Sequence, residues 1–113
     1  TASIAALRGA ADAHAYTATK GAIVALTRAL AVTYGPKGVR ANTICPGVID
    51  TEMIHDTLIA REEIKTALAK NTPLRRVGTA DDVADVAVFL ASEASRFITG
   101  EEIVVDGGLM QRV

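Results

Sequence analysis

The sequence lacks the cysteines and histidines that disulfide scaffolds and metal sites require. Its 113 residues contain one cysteine, Cys45, and two histidines, His14 and His55, far apart in the chain. A single cysteine excludes an internal disulfide, and the spacing of these residues fits no metal site. We therefore predict that Cys45 is a small buried side chain before Pro46, that both histidines are ordinary helix residues, and that the compartment is the reducing cytoplasm.

A strong net charge and long apolar runs are also missing. The formal net charge is -1 at pH 7 with basic and acidic residues interspersed, which argues against nucleic acid and membrane surfaces as partners. The apolar run from Ala84 to Ala91 is interrupted by Asp85 and is too short to cross a bilayer. With 50% hydrophobic and 22% charged residues, the chain is predicted to be soluble and globular.

The stretch Tyr16-Thr17-Ala18-Thr19-Lys20 contains a pair of side chains suited to proton transfer. Residues four apart on a helix share one face, so Tyr16 and Lys20 can act on the same ligand. A phenol ionises at about pH 10 unless a nearby cation favours the phenolate, and Lys20 can supply that charge. The alternative, from the spacing alone, is a solvated helix face without function.

A sharp turn follows a predicted buried strand. Residues Val39 to Cys45 favour the strand, and Pro46-Gly47 ends it. Ligands of open parallel sheets bind beyond the carboxyl ends of the strands, so the segment from Gly47 to Thr51 is a candidate binding loop. The alternative is a plain turn into a helix, with Thr51 as its N-cap.

A long helix is predicted from about Asp12 to Tyr34, with Asp12 capping its start and Gly35-Pro36 closing its end. One apolar stripe is expected to face the core, and it consists of Ile23, Leu26 and Leu30. A second stripe has small residues that permit close approach of another helix, namely Ala18, Ala22, Ala25 and Ala29. That second stripe fits either packing on the chain's own sheet or a subunit interface.

The segment from Thr51 to Lys70 is predicted to form two short helices, separated by the charged run Arg61-Glu62-Glu63. Because it follows the candidate binding loop directly, residues 51–72 are a candidate lid that closes over a substrate and excludes water. Its apolar residues face either that substrate or the core, and these are Met53, Ile54 and Leu58. In the next loop, Arg76 is interpreted as structural rather than as a ligand of an anion.

The last third of the chain predicts one more helix and one more strand. Thr79-Ala80-Asp81-Asp82 has the hydroxyl and acidic residues of a helix start. The buried face of this helix is expected to carry Val83, Val86, Ala87 and Leu90. Glu102 to Asp106 predicts a final strand that ends at the turn Asp106-Gly107-Gly108.

The order of these features resembles the C-terminal half of a short-chain dehydrogenase/reductase. The resemblance covers essentially the whole chain. The residues that carry it are Ser3, Tyr16-x-x-x-Lys20, Asn42-x-x-x-Pro46-Gly47-x-x-x-Thr51, Arg76-x-Gly78 before Asp81-Asp82-Val83-Ala84, and Thr99-Gly100 leading to Val105-Asp106-Gly107-Gly108. Each part alone is a weak signal, whereas the ordered set is specific. The resemblance implies an α/β fold, a Rossmann-like parallel sheet with flanking helices, of which residues 1–113 supply the C-terminal half of a single domain.

The resemblance also implies an NAD(P)(H)-dependent oxidoreductase that interconverts an alcohol and a carbonyl compound, with NAD or NADP as cofactor. It assigns catalysis to Ser3, Tyr16 and Lys20. It assigns cofactor binding to Tyr16, Lys20, Pro46, Gly47, Ile49 and Thr51. In addition, it implies a homodimer or homotetramer that forms through the helix around residues 13–34 and the C-terminal strand.

The sequence has no glycine-rich turn of the kind that holds the diphosphate of a dinucleotide. By the resemblance, that turn and the rest of the cofactor-binding half would precede Thr1. We therefore expect the 113-residue chain alone to be inactive as an enzyme. The alternative function is that of a catalytically inactive C-terminal fragment that serves only as an oligomerisation or interaction module.

Overall fold

The computed structural model of the chain describes residues 1–112, with the side chains of Thr57 and Leu58 left aside. The helices of this described part are α1 (His14–Tyr34), α2 (Glu52–Ile54), α3 (Glu62–Asn71) and α4 (Ala80–Ala91). The strands are β1 (Thr43–Pro46), β2 (Ile49–Asp50), β3 (Gly78–Thr79) and β4 (Glu102–Val105). Helices separate the strands that pair in parallel, which confirms the predicted α/β class.

Two pairs of parallel strands organise the fold. β1 pairs with β4, in a register that sets Thr43 opposite Glu102, and β2 pairs with β3. The first residues of the chain lie along β1, because the Ala2 N–H donates to the Ile44 carbonyl over 2.8 Å. Ala2 also packs with Val24 of α1 and Cys45 of β1 in the buried apolar cluster. The small core therefore lies between α1, β1 and the start of the chain.

β1 begins at Thr43, later than the predicted start at Val39, which is 51% exposed. The residues between Val39 and Thr43 do not pair with a neighbouring strand in the way that β1 does, and side-chain hydrogen bonds attach them to the rest of the fold instead. Arg40 donates to the carbonyls of Leu90 (2.7 Å) and Ile98 (3.2 Å), and Asn42 donates to Ile98 (2.9 Å). The Arg40 guanidinium thus binds the carboxyl end of α4, where carbonyl groups have no partner within the helix. The predicted strand was too long because these bonds depend on residues far away in the sequence.

The predicted cap of α1 was wrong. The helix begins at His14 with Ala13 at its N-cap, and no side chain caps it. Asp12 lies one residue further out with a φ of 57°, in the left-handed region that Asp tolerates better than most residues. The end is as predicted, because the helix stops at Tyr34 and continues only as a 3-10 turn over Gly35–Lys37.

The inner face of α1 also differs from the prediction. Val24 and Ala31 are buried, whereas Leu26 and Leu30 of the predicted stripe are 58% and 38% exposed. Only Ile23 of that stripe packs against the core cluster. The small-residue stripe is exposed as well, at Ala18, Ala22, Ala25 and Ala29. The prediction failed because either side of an apolar helix fits the spacing rule, and the sheet covers only one.

The segment after β2 is divided as predicted. α2 and a π-helical stretch, His55–Ile59, precede the break, and α3 begins at Glu62. Met53 is 80% exposed, whereas Ile54 is half-buried. The prediction for the side chain of Leu58 lies outside the described residues. The lid function of this segment remains a prediction.

α4 begins with a reciprocal cap, which confirms the predicted start. The Thr79 hydroxyl accepts from the Asp82 N–H, and the Asp82 carboxylate accepts from the Thr79 N–H over 2.7 Å. Arg76 donates to both carboxylate oxygens of Asp82, at 2.5 and 2.7 Å. These bonds confirm the structural interpretation of Arg76. On the predicted inner face of α4, Val83, Val86 and Leu90 are half-buried, but Ala87 is exposed.

Asp82 gives a pH-dependent prediction. Arg76, followed by the Thr79 N–H, holds the pKa of the Asp82 carboxyl well below its usual value of 3.8. A carboxyl whose pKa is lowered by folding stabilises the fold above its ordinary pKa, and this contribution is lost as the pH falls through the folded value. Asp82→Asn should therefore lower the Tm at pH 7, and its difference from the parent should shrink from about pH 4 toward about pH 2.

The measurement is thermal unfolding followed by circular dichroism across that pH range. Asp85→Asn, which removes an exposed carboxylate from the same helix, is the matched control. A Tm difference for Asp82→Asn that stayed constant down to the lowest pH would contradict the role of the ion pair.

The described residues bury few apolar side chains for a chain of this length. These are Ala2, Ala5, Val24, Ala31, Ile44, Cys45 and Ile59. The Cα radius of gyration is 15.2 Å, and the extents are 50 × 30 × 29 Å. A compact domain of similar length would have a radius of about 13 Å. The structure is therefore elongated and leaves much of its apolar surface open.

Within residues 1–112, none of the helices combines the length and apolar character of a membrane span.

Candidate active site

The Tyr16 and Lys20 side chains meet on the first turns of α1. The Lys20 Nζ lies 5.6 Å from the centre of the Tyr16 ring, which confirms that the two residues share one face. Tyr16 is 43% exposed, so its hydroxyl is accessible to a ligand. A cation held beside a phenol is an arrangement that can support proton transfer.

Lys20 connects this pair to the first residues of the chain. Its Nζ lies 3.4 Å from the Thr1 carbonyl oxygen, to which it donates. Ser3 follows in an extended conformation, and its hydroxyl oxygen accepts from the Ala5 N–H over 3.2 Å. Accepting that bond leaves the hydroxyl proton of Ser3 able to donate. The chain thus brings Tyr16 and Lys20 together and links Lys20 to the segment that carries Ser3.

Cys45 lies behind this segment and is fully buried, as predicted. Burial raises the pKa of its thiol, although a hydrogen bond from the Ser3 backbone acts in the opposite direction. A buried thiol with a raised pKa is a poor nucleophile. Cys45 therefore serves as a packing residue beside Ser3.

Gly47 occupies a position that only glycine fits. A Cβ at residue 47 would lie 2.6 Å from the Cβ and 2.8 Å from the Cα of Asp106, the first residue after β4. The Gly47 N–H also donates to the Val105 carbonyl over 2.9 Å. Pro46 ends β1 directly before it. The turn at Gly47 is therefore held against the β4 end of the sheet by close backbone contact.

Ile49 and Thr51 lie on the two sides of Asp50, at the carboxyl end of β2. Ile49 pairs with Gly78, where a Cβ would come within 2.5 Å of the Ile49 Cδ1 atom. Thr51 is the N-cap residue of α2, but its side chain makes no capping hydrogen bond. Its exposed hydroxyl is therefore available to a ligand. Thr51 therefore lies at the helix N-cap, as the turn interpretation predicted, but its side chain does not stabilise the helix start by a hydrogen bond.

An open cleft of about 930 Å³ lies beside Thr51. Its lining consists of Asp50, Thr51, Glu52, Met53, His55, Asp56 and Ala80. His55 lies in a helical segment, as predicted, but the sequence did not indicate that its Nδ1 lies 2.8 Å from the Asp50 carboxylate. Hydrogen bonding to Asp50 raises the pKa of His55. A separation of five residues matches neither helical nor strand spacing, so no periodic signal pointed to this pair.

Metal ligation has no candidate in the described part of the chain. Within residues 1–112, no group of three or more His, Cys, Asp or Glu side chains is placed to hold an ion. The polar groups available to a ligand are instead the Tyr16 phenol, the Lys20 ammonium and the Ser3 and Thr51 hydroxyls.

Comparison with known proteins identifies the family. A family model described as enoyl-(acyl carrier protein) reductase matches residues 1–110. The 3-oxoacyl-[acyl-carrier-protein] reductase FabG of Chlamydia pneumoniae is 43% identical over 108 residues, which are 96% of this chain and 42% of that protein. The chain therefore spans less than half the length of this curated relative.

Solved structures give the same result for the fold. A short-chain dehydrogenase/reductase from Brucella melitensis, described as glucose/ribitol dehydrogenase, aligns with a TM-score of 0.87 and 44% identity over 96% of this chain and 42% of that one. The 4-hydroxyisoleucine dehydrogenase complexed with NADH aligns with a TM-score of 0.93 and 32% identity over 99% of this chain and 46% of that one. These matches confirm the Rossmann-like α/β fold, and the chain belongs to the short-chain dehydrogenase/reductase family of oxidoreductases.

Proposed function

We propose that this chain is the C-terminal half of an NAD(P)(H)-dependent enzyme that interconverts an alcohol and a carbonyl compound by hydride transfer. The observation that carries the proposal is the Tyr16 phenol beside the Lys20 ammonium, exposed on α1 and linked to the segment of Ser3. Relatives that are reductases and a structural neighbour complexed with NADH support the same reaction class. The substrate is a small-molecule alcohol or carbonyl compound.

The shape of the chain supports its being half of a domain. The chain is more elongated than a compact domain of its length, and it spans 42% of its relative FabG. A further half of the sheet would cover the apolar side chains that are open here. The sequence also has no glycine-rich turn for a dinucleotide diphosphate, which such a half would supply.

The residues near the site fit the nicotinamide end of a dinucleotide. Thr51 has an exposed hydroxyl that makes no capping hydrogen bond, and the close contact of Gly47 with Asp106 fixes the turn that leads to Thr51. Pro46, Gly47, Ile49 and Thr51 would hold that end, and Lys20 would hold the hydroxyls of the attached ribose. When bound, the nicotinamide supplies or accepts the hydride.

The proton and the developing charge are handled by three side chains. Tyr16 donates a proton to the carbonyl oxygen of the substrate, or removes one from an alcohol in the reverse direction. Ser3 donates a hydrogen bond to the same oxygen and stabilises its developing negative charge. Lys20 favours the phenolate form of Tyr16 through its positive charge. Residues 51–72 form the lid that excludes water from this site.

The assembly is a homodimer or homotetramer in the cytoplasm, with NAD or NADP as cofactor. Two exposed apolar surfaces support the assembly. The outer face of α1 exposes its alanine stripe together with Leu26 and Leu30, and Val104 of β4 is 40% exposed. A second copy of the chain would bury these surfaces. The fully buried free thiol of Cys45 is compatible with a reducing compartment.

The second candidate is a catalytically inactive C-terminal fragment that acts only as an oligomerisation module, which the same exposed surfaces favour. Fluorescence titration with NADH and NADPH, together with intact mass, separates the two. An enzyme should perturb nicotinamide fluorescence and have a mass near twice the 11.8 kDa of these residues. A mass of 11.8 kDa, self-association and unchanged fluorescence would instead establish the module and refute the enzyme.

A further inference from the structure

His55 closes a short loop of chain around Thr51. Its ring Nδ1 lies 2.8 Å from the Asp50 carboxylate, and its backbone N–H donates to the Thr51 carbonyl over 2.8 Å. The Ile54 N–H donates to the same carbonyl over 3.0 Å. One residue thus binds both the residue before Thr51 and Thr51 itself.

The other side of this loop is anchored in the sheet. Asp50 belongs to β2 and pairs with Thr79 of β3, and Thr79 is the N-cap of α4. The His55 ring therefore ties the start of residues 51–72 to a part of the fold held by several hydrogen bonds. The side chains of His55 and Asp50 are 53% and 32% exposed, so the pair contributes little to core burial. Its geometric effect is to fix the turn that carries Thr51.

We propose that His55 is a positioning residue for the cofactor. Together with Asp50 it holds the turn that carries Thr51 and orients the Thr51 hydroxyl toward the nicotinamide end of the cofactor. The proposal rests on the proposed function, in which Thr51 contacts the cofactor. His55 acts through Thr51 and touches neither the hydride nor the proton that is transferred. Its loss should weaken cofactor binding and leave the chemical step nearly unchanged.

The charges around the ring set the direction of a pH effect. Asp50, Glu52 and Asp56 line the same cleft as His55, and the positive charge of Lys65 on α3 acts to lower the His55 pKa. The hydrogen bond to Asp50 is the largest cause of the raised His55 pKa. A charged ring forms a stronger bond to a carboxylate than a neutral ring does. Cofactor affinity should therefore fall as the pH rises through the raised His55 pKa.

The test uses the enzyme that contains this chain, with NADH and NADPH as the probes. His55→Ala removes the ring, Thr51→Val removes the hydroxyl, and the double variant combines them. His55→Asn is the rescue variant, because its amide nitrogen can take the place of the ring Nδ1 as donor to Asp50. Asp85→Asn, which removes an exposed carboxylate from α4, outside residues 51–72, is the matched control.

The expected result is a roughly fivefold higher cofactor Kd for His55→Ala, on the scale of one lost hydrogen bond. The rescue variant should recover most of this loss, and kcat at saturating cofactor should stay near that of the parent. The effects of His55→Ala and Thr51→Val should be less than additive in the double variant. The cofactor Kd of the parent should rise as the pH rises through the His55 pKa. This rise should be absent from His55→Asn.

An unchanged Kd for His55→Ala, or additive effects in the double variant, would overturn the positioning role of His55 while leaving the enzyme assignment intact. A parent protein that binds neither dinucleotide would overturn both the proposed function and the positioning role of His55. Circular dichroism of each variant checks that the fold is retained, as the exposure of both side chains predicts.

Discussion

Replacing Tyr16 with phenylalanine should lower turnover by about 100-fold or more and leave cofactor affinity close to that of the parent. The substitution removes a single oxygen atom and keeps the ring that the Lys20 ammonium faces at 5.6 Å. Loss of a positioned proton donor costs about 100-fold to 10,000-fold in rate. The measurement is kcat for an alcohol or carbonyl substrate in the enzyme that contains this chain, beside the Kd for reduced cofactor.

Lys20→Met provides the contrasting case. It removes the charge that favours the phenolate and the group that would hold the ribose, so both kcat and cofactor affinity should fall. Tyr34→Phe is the matched control for Tyr16→Phe. Tyr34 also lies on α1 and has a lysine, Lys37, 5.6 Å from its ring, but it lies at the opposite end of the helix. Comparable turnover by Tyr16→Phe and the parent would remove Tyr16 from the mechanism.

Gly47→Ala should lower both stability and cofactor affinity, although it adds a single methyl group. The added Cβ would lie 2.6 Å from the Cβ and 2.8 Å from the Cα of Asp106, and neither atom can rotate away. The Asp106 carboxylate is itself held by the N–H groups of Gly108 and Met110, each at 2.7 Å. The backbone must therefore shift, at a cost of about 2 kcal/mol in the free energy of unfolding.

The same shift would move the turn that leads to Thr51, so we expect at least a roughly tenfold increase in cofactor Kd, equivalent to about 1.4 kcal/mol. Chemical denaturation and fluorescence titration measure the two effects. Gly9→Ala is the control, because a Cβ there meets no atom within 4 Å and the φ of Gly9 is not in the left-handed region. Stability and affinity equal to those of the parent would show that the contact at Asp106 relaxes without cost.

Local signals in the sequence predicted the elements that carry the site. The spacing of Tyr16 and Lys20 was enough to place both on one face of α1, because a helix fixes the relation between such residues. The start of α4 at Thr79 was equally local, since the cap and its partner Asp82 lie three residues apart. The order of the motifs also predicted the family, which the comparisons confirmed.

Features that depend on distant contacts were missed. The start of β1 was set too early because Arg40 and Asn42 bond to the loop around Ile98, which no local pattern reveals. The inner face of α1 was misjudged at Leu26 because apolar residues lie on both sides of this helix, and only the position of the sheet decides which side is buried. The bond from His55 to Asp50 joins residues five apart across α2, a spacing that the usual helical periods do not include.

The parallel pairing of β1 with β4 has a consequence for synthesis and folding. Thr43 pairs with Glu102, so β1 meets β4 only when nearly all the described chain has been made. Pairings between residues so distant in sequence form slowly, because the entropy of closing a long loop must be overcome first. Until then, the edge of β1 that β4 will cover stays open to other chains. Chaperone capture during translation should therefore be strongest for nascent chains that end between Pro46 and Glu102.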